Sequence, residues 1–136
     1  MLSEIVNGIL KVSLNEKFVF ITLFLLQLNC QSKPGIKVEV RNQSGASITE
    51  VKFYTTEPEG GKLAIGKIEA SEKYSGFFEM SNNSQDGGYM IEFKREGSSI
   101  ERFGGGYYTI GAPLDSKVIF IIKPDTVNVE FRGYGL

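Results

Sequence analysis

Lys117-Val118-Ile119-Phe120-Ile121-Ile122-Lys123-Pro124-Asp125-Thr126-Val127-Asn128-Val129-Glu130-Phe131-Arg132 contains two strand signals of different kinds. Val118 to Ile122 is apolar at every position, the pattern of a strand covered on both faces. Val127, Val129 and Phe131 alternate with Asn128, Glu130 and Arg132, the pattern of a strand with one buried face. Pro124-Asp125 is too short to carry a crossover helix, so Lys117–Lys123 and Thr126–Arg132 are expected to pair antiparallel.

The same period of two extends upstream, punctuated by Gly, Asn and Pro. Ile36, Val38 and Val40 alternate with Lys37, Glu39 and Arg41 before the turn Asn42-Gln43-Ser44-Gly45. Ile48–Thr55 has Val51 and Phe53 on one face, and Glu57-Pro58-Glu59-Gly60-Gly61 breaks it. Leu63, Ile65 and Ile68 mark a short third strand, and Lys73–Met80 a fourth. The turn-rich stretch Ser81–Gly88 leads into Tyr89, Ile91 and Phe93, with Ile100–Phe103 as hairpin partner across Glu96-Gly97-Ser98. Seven or eight short strands without helical periodicity predict an all-β domain over residues 36–136. The expected form is an antiparallel two-sheet β-sandwich of immunoglobulin-like kind, with a small β-barrel as the alternative.

Composition narrows the chemistry. Lys and Arg number 15 against 16 for Asp and Glu, so no strong field draws the protein to nucleic acid. The chain has no histidine, which removes Ser-His-Asp and Cys-His catalysis and His-ligated zinc. Nucleotide loops, zinc-protease motifs and calcium loops are absent from the sequence, and no cofactor is expected. Carboxylates remain: Glu57 and Glu59 share one turn, and Asp86 precedes Gly87-Gly88. Paired acids can hydrolyse a glycosidic bond or bind calcium, but in Pro/Gly loops they are more often solvated turn residues.

The most individual segment is Phe103-Gly104-Gly105-Gly106-Tyr107-Tyr108-Thr109-Ile110-Gly111. Three consecutive glycines mark a bend, a bulge or a close backbone approach. A bent recognition loop bearing Tyr107 and Tyr108 is one reading, because tyrosine supplies contact area at low entropy cost. The other is that one tyrosine fills the core and the second caps a sheet edge. Neighbours in an extended chain face opposite ways, so one of the pair is expected inside and one outside.

The first 35 residues differ from the rest. Lys17 precedes Phe18–Leu28, FVFITLFLLQL, an 11-residue apolar run that ends at Asn29-Cys30. That length fits a signal-peptide core and falls short of the ~20 residues that span a bilayer. Residues 1–29 are therefore expected to form a signal helix that is removed. Met1–Lys17 is long for its leading segment and balances Glu4 and Glu16 against Lys11 and Lys17, as a start upstream of the true one would.

Cys30 is the only cysteine in the chain and follows this run directly. Here, over about residues 17–35, the sequence resembles the signal of a bacterial lipoprotein, in which the thiol receives a diacylglyceryl group and becomes the mature N-terminus. The usual pattern has a small residue before the cysteine and Leu three positions before it. Here those places hold Asn29 and Gln27, as in the looser versions of spirochaetes and some other bacteria. A secretory signal or uncleaved anchor with a bystander cysteine is the alternative.

The resemblance implies a mature chain of 107 residues from Cys30, with residues 30–35 as a lipidated tether. It also implies a cell-envelope location, with Gln31 favouring an outer membrane facing the periplasm. The expected function is a membrane-tethered, non-enzymatic binding or structural module whose partner is an envelope protein or glycan. A small carboxylate-dependent envelope hydrolase is the alternative.

Overall fold

Alternating apolar and polar side chains become nine strands over residues 32–133, the part of the chain that the computed structural model describes. The signal segment and Cys30 lie outside the described residues. A compact unit begins at Lys33. Its strands are β1 (Gly35–Asn42), β2 (Ile48–Thr55), β3 (Lys62–Ile68), β4 (Lys73–Glu79), β5 (Gly87–Arg95), β6 (Ile100–Thr109), β7 (Ala112–Pro113), β8 (Lys117–Ile122) and β9 (Val127–Arg132). A single 3-10 turn, Pro58–Gly60, lies between β2 and β3, and the described residues contain no α-helix.

The strands form two sheets, one ordered β4-β1-β8-β9 and the other β3-β2-β5-β6-β7. Inward residues of both enclose one core, with Val38, Val40, Phe53, Phe93 and Phe120 buried in it. Phe53 makes edge contacts with Phe78 and Phe120, at centroid distances of 5.1 and 6.1 Å, which tie the two sheets together. The β8–β9 hairpin forms as its sequence requires, with Val118 opposite Phe131.

One expectation needs correction: the sheets are not wholly antiparallel. β1 pairs with β8 in parallel, Val38 opposite Val118 and Val40 opposite Phe120. After β7 the chain crosses between the sheets at the end where β1 begins, and the Lys37 N–H donates to the Ser116 carbonyl at 3.1 Å. β8 therefore sets out in the direction of β1. Strand periodicity records which face is buried and carries no direction for partners about 80 positions apart.

A second correction concerns the glycine run, which is not a bent loop. Gly104, Gly105 and Gly106 lie inside β6, paired to β5. A Cβ at Gly104 would sit 2.7 Å from Met90 Sδ, and one at Gly105 would sit 3.1 Å from Val129 Cγ2. At Gly106 it would lie 2.3 Å from Phe131 Cζ. The glycines thus admit side chains of β5 and β9 where they crowd the strand, as close approach requires.

The two ends of the domain differ in what they carry. The Lys33 end holds the start of β1 and the segments between β2 and β3, β4 and β5, β6 and β7, and β7 and β8. The far end holds the turns after β1, β3, β5 and β8.

Candidate functional site

Every carboxylate singled out in the sequence lies at the Lys33 end. Glu57, in the β2–β3 segment, reaches across to the β4–β5 segment. Its Oε2 accepts the Ser84 N–H at 3.0 Å, and its Oε1 accepts the Gln85 N–H at 3.2 Å and the Tyr108 hydroxyl at 3.0 Å. The Ser84 bond does most to hold the Glu57 carboxyl below its ordinary pKa; Asn83, Tyr108 and Gln85 lower it further against partial desolvation. Asn83 donates through Nδ2 to Thr55 Oγ1 at 2.8 Å and to the Tyr108 hydroxyl at 3.2 Å. Among the described residues its buried Oδ1 has no hydrogen-bond partner, so the amide holds the cluster through nitrogen.

Asp86 performs the same service for the β6–β7 hairpin. Its Oδ2 accepts the Tyr107 hydroxyl at 2.7 Å, and its Oδ1 accepts Thr109 Oγ1 and the Ile110 N–H, both at 2.8 Å. The Tyr107 bond leads in lowering the Asp86 pKa, and the same bond raises that of the Tyr107 phenol. Both acids therefore clamp loops.

Glu57, Glu59 and Asp86 line a shared hollow of about 190 Å³ with Thr56, Ser84 and Gln85. It is smaller than an ordinary ligand pocket of roughly 300–1,000 Å³. A glycosidase acid needs a carboxyl held protonated near neutral pH, and Glu57 and Asp86 are both shifted the other way. Among the described residues no group of three or more acidic or thiol side chains is placed to hold a metal ion. A larger cavity of about 420 Å³ opens between the β3 and β4 edges, lined by Gly61, Lys62, Leu63, Phe77, Phe78 and Glu79.

The two tyrosines fall on opposite faces. Tyr108 is 0% exposed and packs against Tyr89 at a centroid distance of 5.5 Å, while Tyr107 is 49% exposed. A bulge decides which is which. Between the pairs Tyr89 with Gly105 and Gly87 with Tyr108, β6 carries one residue more than β5, and Gly106 takes φ +76°. Phe103 packs inward against Phe93, so unbroken alternation would turn Tyr107 inward too. The extra residue reverses the phase. Of the two, only Tyr107 remains available for contact.

Sequence reasoning assigned no role to Ile110. The pairing of Thr109 with Ala112 leaves Ile110 and Gly111 as a two-residue hairpin turn, with φ +49° and +69°. Such a turn prefers Asn-Gly, and a β-branched residue with positive φ is an outlier. Ile110 is also 78% exposed, so burial does not repay the strain. Ile110→Asn is expected to raise folding stability by about 1 kcal/mol, because Asn tolerates the left-handed region. Chemical denaturation measures the change; an unchanged or lower midpoint would show that the turn carries no strain.

No family model, curated protein or solved structure matches this chain.

Proposed function

We propose that this chain is an exported protein held to a bilayer by acyl groups on Cys30. The domain from Lys33 onward is a non-enzymatic binding or structural module of the cell envelope, an immunoglobulin-like sandwich in its finer architecture. One observation carries the reading: the only cysteine stands between an 11-residue apolar core and a compact unit that begins three residues later. This is the place a lipid-bearing first residue would take, with a polar leash between lipid and domain. The structural use of Glu57 and Asp86 supports a role without catalysis. Gln31 after the cysteine favours the outer membrane by resemblance to lipoprotein sorting.

The test is Cys30→Ala in the full chain, followed by radiolabelled palmitate and Triton X-114 partitioning. Wild type is expected to take up label and enter the detergent phase, since two or more acyl chains give stable attachment where one does not. The variant is expected to lose both. Equal labelling of the two proteins would refute acylation at Cys30.

The hollow shared by Glu57, Glu59 and Asp86 supports a second reading, an envelope hydrolase. The low pKa values of Glu57 and Asp86 weigh against it. Glycosidase activity of the full chain that disappears in Glu59→Gln would reverse that order.

A further inference from the structure

Five large apolar side chains of the described residues are prominently exposed, and four of them gather at the Lys33 end. Ile110 occupies the tip of the β6–β7 turn, and Leu114, 53% exposed, follows β7 directly. Tyr107 stands two residues from Thr109, where that turn begins, and Phe77 lies over Gly35 at the start of β1. Only Ile100 belongs to the far end.

β7 lies against β1, which places the Ile110–Leu114 projection beside the point where the chain arrives. Cys30 precedes Gly35 by five residues, at most about 18 Å when fully extended. An acylated Cys30 would therefore keep this end within that distance of the bilayer. With Cys30 acylated, the surface facing the projection across so short a gap would be lipid.

We infer that the Lys33 end seats in the interfacial layer of the bilayer that carries the Cys30 anchor. Ile110 and Leu114 lead, and Tyr107 stands at headgroup level. The inference rests on the proposed acylation of Cys30. Apolar side chains that penetrate roughly 5–10 Å are how a surface-bound protein engages lipid, and tyrosine suits the boundary because its ring is apolar and its hydroxyl polar. The strain at Ile110 is then explained by a gain realised outside the folded chain.

Charge specifies the kind of lipid surface. Glu57, Glu59, Glu79, Asp86 and Asp115 at this end are matched by Lys33, Lys37, Lys62, Lys117 and Arg132, with Lys33 paired to Glu79 and Lys117 to Glu39. A balanced end gains no net attraction from anionic headgroups, so insertion should be as deep in zwitterionic lipid.

The experiment uses the full chain, processed and acylated, in phosphatidylcholine vesicles that contain doxyl-labelled lipid. An environment-sensitive fluorophore is placed at Leu114→Cys and, in a second protein, at Ser98→Cys in the far-end turn. Flotation with the vesicles reports the anchor, and quenching reports the tip. Quenching and a blue shift are expected at position 114 and not at 98, undiminished when anionic lipid is omitted. Ile110→Asn is expected to lower the inserted fraction about tenfold, the factor that burying one such side chain supplies, although it leaves the fold intact. A wet label at 114 on a protein that still floats would overturn this inference and spare the anchor. Failure to float would remove both. Shielding of 114 that appears only when envelope proteins are present would assign the tip to a protein partner and overturn the lipid reading.

Discussion

Tyr108→Ala is expected to cost about 4 kcal/mol of folding stability, and Tyr107→Ala less than about 1, although the two residues are adjacent. Tyr108 is fully buried with its ring against Tyr89, so truncation opens a large cavity. It also takes a donor from Glu57 Oε1 and an acceptor from Asn83 Nδ2. Glu57 keeps two backbone donors and Asn83 keeps Thr55, so the polar loss is partial. Tyr108→Phe, which retains the ring, should therefore cost about 1–2 kcal/mol. Tyr107 loses one bond to Asp86 at the surface. Urea denaturation of the three variants measures the order. Equal losses for Tyr107→Ala and Tyr108→Ala would mean that the Gly106 bulge does not set the phase of β6.

Glu39→Gln is expected to cost about 2 kcal/mol at neutral pH, with the gap from wild type closing in acid. The Glu39 side chain lies under Lys117 and Arg41 on the outer face of β1 and is 2% exposed as a residue. Its carboxylate accepts Lys117 Nζ and, at 2.6 Å, Arg41 Nε. Its pKa is lowered from 4.5 to about 2, chiefly by the Lys117 bond, with Arg41 adding and burial opposing. A folded-state pKa below the unfolded value gives stability that is complete above pH 4.5 and is lost as the pH falls through about 2. That displacement corresponds to at most about 3 kcal/mol. Because Lys117 and Arg41 reach solvent, screening reduces it to about 2. Urea midpoints of wild type and Glu39→Gln between pH 7 and pH 2 provide the comparison. A gap that stays constant throughout would show that Glu39 is not the titrating group.

Glu39 also shows how local sequence conceals a tertiary site. In the run Ile36 to Arg41 it reads as one of three charged residues on a solvated face. Of its two cations, Arg41 is local, but Lys117, whose bond lowers the Glu39 pKa most, comes from 78 positions away through the parallel pairing of β1 with β8. Glu57 and Asp86 were visible as loop acids. That Glu57 is bound by two backbone N–H groups of another loop, and Asp86 by one, depends on which loops share the Lys33 end.

By itself the sequence determined the all-β class, the hairpins of β5 with β6 and β8 with β9, and the buried apolar residues of β1, β2, β5 and β8. These follow from a period of two and from turn residues, and both act over a few positions. Tertiary structure alone decided the parallel placement of β8, the inward turn of Tyr108 and the gathering of Ile110, Leu114, Tyr107 and Phe77 at one end. A bulge shifts the facing of every later residue, and its location depends on what presses on the strand, here Phe131 of the opposite sheet against Gly106. Such pressure comes from residues remote in sequence, and neither composition nor periodicity records it.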